Sequence, residues 1–135
     1  MVGIIVASHG QLAEGFMDAL EMIMGPQEKI TALALEPEMG PEDYREKLKK
    51  AAQDLETPDG VLIMADLFGG TPSNASAYLL DSENPPIEVV TGVNLPMLLE
   101  IANMRGSTGL KELAQNCREL ATQSVQIMSE VMKKE

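Results

Sequence analysis

Two stretches of this chain carry no polar side chain at all: Met1-Val2-Gly3-Ile4-Ile5-Val6-Ala7 and Val61-Leu62-Ile63-Met64-Ala65. A strand with one wet face alternates apolar and polar residues, and these do not. Each therefore reads as a strand buried on both faces, which calls for helices above and below a mainly parallel sheet. At about seven residues the longer run is far short of the ~20 that a membrane span needs.

The segments between and after these runs switch to helical spacing. Over residues 12–24, Leu12, Phe16, Ala19, Leu20 and Ile23 fall on one expected core face, with Gly25-Pro26 as the stop. A second strand is expected at Lys29–Leu35. Pro41 and two following acids open a helix that runs to about Leu55. Thr57-Pro58-Asp59-Gly60 is a turn. After the third strand, Thr71 is the expected N-cap and Pro72 the first helical residue of a helix to about Leu80. Ile87–Thr91 reads as the fourth strand, and Leu95–Asn103 as a helix with Asn94 as its cap. The remainder, to Glu135, favours helix by propensity, although Val125 and Ile127 also suit a short edge strand. The result is β and α in strict alternation plus a C-terminal extension. We expect one domain over residues 1–135, a three-layer α/β sandwich around a mainly parallel four-stranded sheet.

Charge and composition narrow the function classes. Ten basic residues against 21 acidic ones give a net charge of −11. Such a surface repels nucleic acid and anionic lipid and draws basic proteins. No N-terminal targeting segment is read, because the apolar run has no basic region before it and meets polar residues by Ser8. The expected setting is the cytoplasm. A lone cysteine, Cys117, allows no internal disulfide, and a lone histidine, His9, argues against a zinc site. No metal and no cofactor are expected.

Ligands of open α/β sheets gather at the carboxyl ends of the strands. Three unusual segments lie at such ends: Ser8-His9-Gly10, Asp66 through Asn74, and Gly92-Val93-Asn94. A neutral imidazole needs one nitrogen with a free lone pair to act as a nucleophile. A carboxylate that accepts from the other ring N–H selects that tautomer and stabilises the cation that forms. Asp66 is placed to do this for His9. Gly69-Gly70-Thr71-Pro72-Ser73 adds backbone N–H groups at a helix start and close backbone approach, both favourable to an anion. Gly69, Gly70, Thr71 and Ser73 are thus the candidate phosphoryl-binding residues. No Gly-Lys-Ser/Thr follows, so this is not a P-loop, and Gly-x-Gly-x-x-Gly is absent after the first strand.

Taken together, these residues resemble the mannose/fructose/sorbose-type IIA components of the bacterial phosphoenolpyruvate-dependent sugar phosphotransferase system. The resemblance rests on the apolar strand ending in Ser8-His9-Gly10, on Asp66 with Gly69-Gly70-Thr71-Pro72 and Asn74-Ala75, and on Gly92-Val93-Asn94-Leu95-Pro96-Met97. It implies a phosphotransferase with a phosphohistidine intermediate, His9 being phosphorylated on Nε2 by the histidine-containing phosphocarrier protein. The phosphoryl group would pass to a IIB component, whose membrane partners complete sugar uptake, so contact with the membrane is only indirect. Asp66 matches the carboxylate partner of the histidine, and Thr71 a hydroxyl position near the phosphoryl group. A homodimer is also implied, in which a C-terminal strand, sought here at Val125–Met128, pairs with the partner's sheet. Phe68 stands where some relatives carry Trp. Two further readings stay open on the residues: the phosphoryl-donor subunit of a dihydroxyacetone kinase, and a regulatory protein-binding module.

Overall fold

The computed structural model describes residues 1–133. Its elements are β1 (Gly3–His9), α1 (Leu12–Met24), β2 (Ile30–Leu35), α2 (Pro41–Asp54), β3 (Val61–Ala65), α3 (Thr71–Ala77), β4 (Ile87–Thr91), α4 (Leu95–Met104), α5 (Leu110–Ser124) and α6 (Met128–Val131). All strand pairs are parallel, in the order β2-β1-β3-β4.

The two wholly apolar runs are the two central strands, as double burial demands. Successive residues of β1 feed opposite cores. Ile4 and Val6 pack with Leu20 of α1, Leu98 and Ile101 of α4, and Leu113 of α5. Ile5 and Ala7 pack with Tyr44 and Leu48 of α2 and Ala75 of α3. The helices therefore form one layer of α1, α4 and α5 and an opposite layer of α2 and α3. The edge strands β2 and β4 are mostly half-buried, which is why their sequences tolerate Thr31, Glu88 and Thr91. Among the described residues, no helix is long and apolar enough to cross a membrane.

Three local expectations change. The buried face of α1 is rotated from the expected one: Ala13 and Leu20 are fully buried, with Phe16, Met17 and Met24 packed beside them, while Leu12 and Ile23 are exposed. The helix holds apolar residues on more than one face, and its seat against β1, β2 and α4 selects which face turns inward. Thr71 is not the cap of α3 but its first residue, because the extended backbone position falls on Gly70. The C-terminal helix is interrupted. It stops at Ser124, Val125–Ile127 has no regular structure, and the short α6 follows. Both Val125 and Ile127 have extended dihedrals and exposed side chains, as β-branched residues do when no face covers them. No strand forms there within the chain, and the expected helix through Glu135 runs beyond the described residues.

Candidate functional site

The strand order creates the site. The chain leaves β1 to add β2 on one side, then returns to add β3 on the other. The carboxyl ends of β1 and β3 therefore flank the switch point, where the two outgoing connections diverge. His9 is the last residue of β1 and Asp66 the first after β3, beside the Ala7–Ala65 register pair. The Asp66 N–H donates to the Ala7 carbonyl at 3.0 Å, which extends the ladder by one step and aims the carboxylate across at β1.

That carboxylate is fully employed. Its Oδ2 accepts from the His9 backbone N–H at 2.9 Å and from His9 Nδ1 at 2.8 Å, and its Oδ1 accepts from the Leu67 N–H at 2.9 Å. Burial pushes the Asp66 carboxyl up. The hydrogen bonds from His9, the charge of its imidazolium form and the Leu67 N–H outweigh that and hold it below the ordinary carboxylate value. An ionised carboxylate can only accept, so Nδ1 carries the proton and the neutral ring keeps its lone pair on Nε2. The Asp66 side chain is 7% exposed and the His9 side chain 48%. The carboxylate is dry and the imidazole is open.

The two adjacent glycines have different reasons to be glycine. Gly69 has φ +94°, and nothing would meet an added Cβ within 4 Å, so its need is purely conformational. Gly70 has φ −86° and ψ 173°, which any residue adopts. Its need is space: a Cβ there would lie 2.7 Å from His9 Cε1 and 3.2 Å from Nε2. The Gly70 backbone thus rests against the nucleophilic edge of the ring. Ser73 locks this arrangement. Its hydroxyl accepts from the Gly69 N–H at 2.9 Å and donates to the Gly70 carbonyl at 3.1 Å. Asn74 adds a side-chain bond to the Gly69 carbonyl at 3.1 Å. Ser73 is therefore engaged in the loop itself, while the Gly70 and Thr71 N–H groups have no protein acceptor among the described residues.

Two contributors escaped the sequence reading. Ser8 is fully buried, and its hydroxyl accepts from the Ala13 N–H at 2.7 Å. The formal N-cap of α1, Gln11, makes no side-chain cap, so Ser8 serves one of the orphan donors of that helix from across the turn. The turn passes through Gly10 at φ +56°. The only sequence signal was a small hydroxyl residue just before the turn. Tyr44 is the second. Its buried hydroxyl donates to the Leu33 carbonyl at 2.8 Å, and burial and then the negative charge of Asp66 keep it protonated. It ties α2 to the end of β2 beneath the site.

The third predicted segment supports rather than reacts. The Val93 N–H donates to the Ala65 carbonyl at 3.1 Å, and Asn94 caps α4 by accepting from the Met97 N–H at 2.9 Å. Phe68, 87% exposed, stands on the loop between Asp66 and the glycines. Among the described residues no three metal-binding side chains cluster.

The chain is similar to known proteins in sequence and fold. The family model described as the PTS system fructose IIA component matches residues 3–118. The fructose-specific EIIA component of Bacillus subtilis is 33% identical over 99% of this chain and 91% of its own length. The mannose-specific EIIAB component of Escherichia coli is 37% identical over 73% of this chain, which spans 30% of that longer protein. Among solved structures, a phosphotransferase system EIIA component from Streptococcus agalactiae superposes with a TM-score of 0.88 at 28% identity. The match covers 96% of this chain and 99% of that one.

Proposed function

Because the chain belongs to the IIA components of the phosphotransferase system, in the family of fructose- and mannose-type components, we propose that it is a phosphoryl carrier whose acceptor atom is Nε2 of His9. The donor is the histidine-containing phosphocarrier protein and the acceptor a IIB component that serves sugar uptake. The carrier unit spans residues 1–135 and works at the cytoplasmic side of the transporter.

The observation that carries this reading is the state of His9. Its Nδ1 is held by Asp66, and its Nε2 lies open against the backbone of Gly70. In the forward step the Nε2 lone pair forms a new N–P bond while the N–P bond of the donor breaks. The donor's ring nitrogen leaves with that electron pair. His9 becomes a phosphorylated imidazolium that keeps its Nδ1 proton, and Asp66 stabilises its positive charge. The same events in reverse order deliver the group to IIB. Phosphoryl transfer asks a protein chiefly for alignment and for stabilisation of the equatorial oxygens. The Gly70 and Thr71 N–H groups and the Thr71 hydroxyl are the donors for those oxygens, with Gly69 and Ser73 shaping the loop that presents them.

A homodimer belongs to the same reading. β4 is an open edge, and a groove of about 370 Å³ lined by Val89, Val90 and Thr91 runs beside it. The extended, exposed segment at Val125–Ile127 matches such an edge in a second copy.

Intact mass after incubation with phosphoenolpyruvate, enzyme I and the phosphocarrier protein tests the carrier role. One acid-labile phosphoryl group on the native chain and none on His9→Ala is the expected outcome. An unmodified, folded native chain would refute it.

A further inference from the structure

A phenyl ring fills a core as well as a phenol does, and the phenol's hydroxyl is costly to bury without a partner. Tyr44 of α2 is fully buried among Ile5, Ala7, Leu48 and Ala75. Its hydroxyl donates to the Leu33 carbonyl at 2.8 Å. That carbonyl belongs to the β1–β2 ladder, where Leu33 is the register partner of Ala7 and Leu35 that of His9. The Gly10 N–H donates to the Leu35 carbonyl at 2.9 Å. Rungs of a parallel ladder recur every two residues, so the preceding one runs from the Ser8 N–H to the Leu33 carbonyl. The phenol therefore joins the rung of the residue just before His9. The Ser8 N–H acts on its oxygen, and the charge of Asp66 reaches it as well.

This position matters because little else fixes His9. It ends β1, and Gly10 at φ +56° opens the turn directly after it. About half of its side chain is open to solvent. The ring is placed by the path of the backbone through Ser8 and by the Nδ1 bond to Asp66. From one helix layer, Ser8 is held through its hydroxyl, which serves the Ala13 N–H of α1. Tyr44 supplies the matching tie from the opposite layer. Burial and the neighbouring carboxylate keep the phenol protonated, so it remains a donor.

Resting on the carrier reading, we infer that the Tyr44 hydroxyl is a positioning group for phosphoryl transfer. It pins the Ser8 rung and so sets the direction in which the His9 imidazole leaves β1, with Nδ1 on Asp66 and Nε2 in line with the donor's phosphorus. Tyr44 acts through Leu33 and Ser8 and not by touching the phosphoryl group. Transfer responds to such a tie because alignment is most of what the reaction asks of the protein.

Tyr44→Phe keeps the ring and its packing and removes only the O–H. Thr57→Val is the control for losing a buried hydroxyl. Thr57 donates to the Gly60 carbonyl at 3.0 Å in the turn before β3, at the opposite edge of the sheet from His9. Both variants should lose stability to urea. In rapid-quench phosphorylation at varied concentrations of the phosphocarrier protein, Tyr44→Phe should lower kcat about five- to tenfold, the worth of one buried hydrogen bond, with KM within about twofold. Thr57→Val should keep the native kcat. His9 is the lone histidine, so its ring nitrogens give an unambiguous NMR signal. The native ring should be the Nδ1–H tautomer, and Tyr44→Phe should shift part of it to Nε2–H. A native kcat in a folded Tyr44→Phe chain would overturn the inference, as would an unchanged ring spectrum. Equal slowing in Thr57→Val would overturn it too, since that marks a general loss of stability. A native chain that takes no phosphoryl group would instead refute the carrier reading, while the ring spectra would still report whether Tyr44 places His9.

Discussion

Replacing Gly70 with Ala isolates the one contact on which the proposed chemistry turns. The backbone at position 70 suits alanine, so the substitution strains nothing in the chain itself. The new methyl group, however, would sit 2.7 Å from His9 Cε1, where carbon atoms normally rest ~3.5–4.0 Å apart. The shortfall is about 1 Å. Leu67, at 3.4 Å, closes off a second direction. The ring can yield only by pivoting on its 2.8 Å bond to Asp66, or by pushing the loop outward against the Ser73 lock. Either way Nε2 moves from its line of attack. A misplacement of about 1 Å costs roughly a hundredfold in rate, or ~2.7 kcal/mol of barrier. Rapid-quench phosphorylation by the phosphocarrier protein should therefore slow by about 30- to 100-fold. Urea unfolding should shift by less than ~1 kcal/mol, since alanine also lowers the entropy of the unfolded chain. Gly69→Ala is the mirror control. It meets no neighbour but must hold φ +94°, so it should lose ~1–2 kcal/mol of stability and much less rate. A Gly70→Ala chain phosphorylated within threefold of the native rate would refute the cradle reading.

Other perturbations reach different parts of the same frame. Asp66→Asn should slow phosphorylation by about 10- to 150-fold, the worth of a charge-assisted hydrogen bond of ~1.5–3 kcal/mol, as read by the same rapid-quench assay. The folded state holds the Asp66 carboxyl below its ordinary value. Its contribution is thus complete above that value and is lost as pH falls through the lower folded one, so the stability of the Asn variant should respond less to acid. Ser8→Ala removes the acceptor of the Ala13 N–H and should cost ~0.5–2 kcal/mol in thermal or urea unfolding, with a slower His9 as the turn loosens. Burial pushes the Cys117 thiol up to about 11. An unfolded cysteine ionises earlier, so this residue should make stability fall as pH rises through 9 to 11, and a thiol reagent at pH 8 should modify it only on unfolding. Loss of the slope in Cys117→Ala would support that assignment, and an unchanged slope would remove it.

The residues of the candidate site were visible early because a proposed chemistry restricts residue type. A lone histidine at the end of a buried strand, an acid at the end of another and a Gly-Gly-Thr-Pro run have few structural uses in common, and the structure does bring them to one edge. Roles within that set were less legible. Ser73 and Thr71 look alike in the sequence, yet one hydroxyl is consumed by its own loop and the other has no protein partner among the described residues. Ser8 was seen only as a neighbour of His9, since its partner, the Ala13 N–H, exists only once α1 has formed. The stack of Arg45 of α2 on Tyr78, the residue that ends α3, joins segments that no local spacing connects.

Local pattern therefore determined the elements. Short uninterrupted apolar runs bounded by turn residues read as doubly buried strands, and Gly and Pro near the helix ends mark where helices begin and stop. Tertiary packing decided what periodicity leaves free. It placed β1 between β2 and β3, so that the switch point falls between His9 and Asp66. It chose which apolar face of α1 to bury, and it gave Gly69 its turn and Gly70 its neighbour. The physical reason is range. A strand or helix is specified by contacts within a few residues, whereas strand order, helix facing and the fit of an imidazole against a backbone depend on groups from distant parts of the sequence, and only the folded core holds those in register.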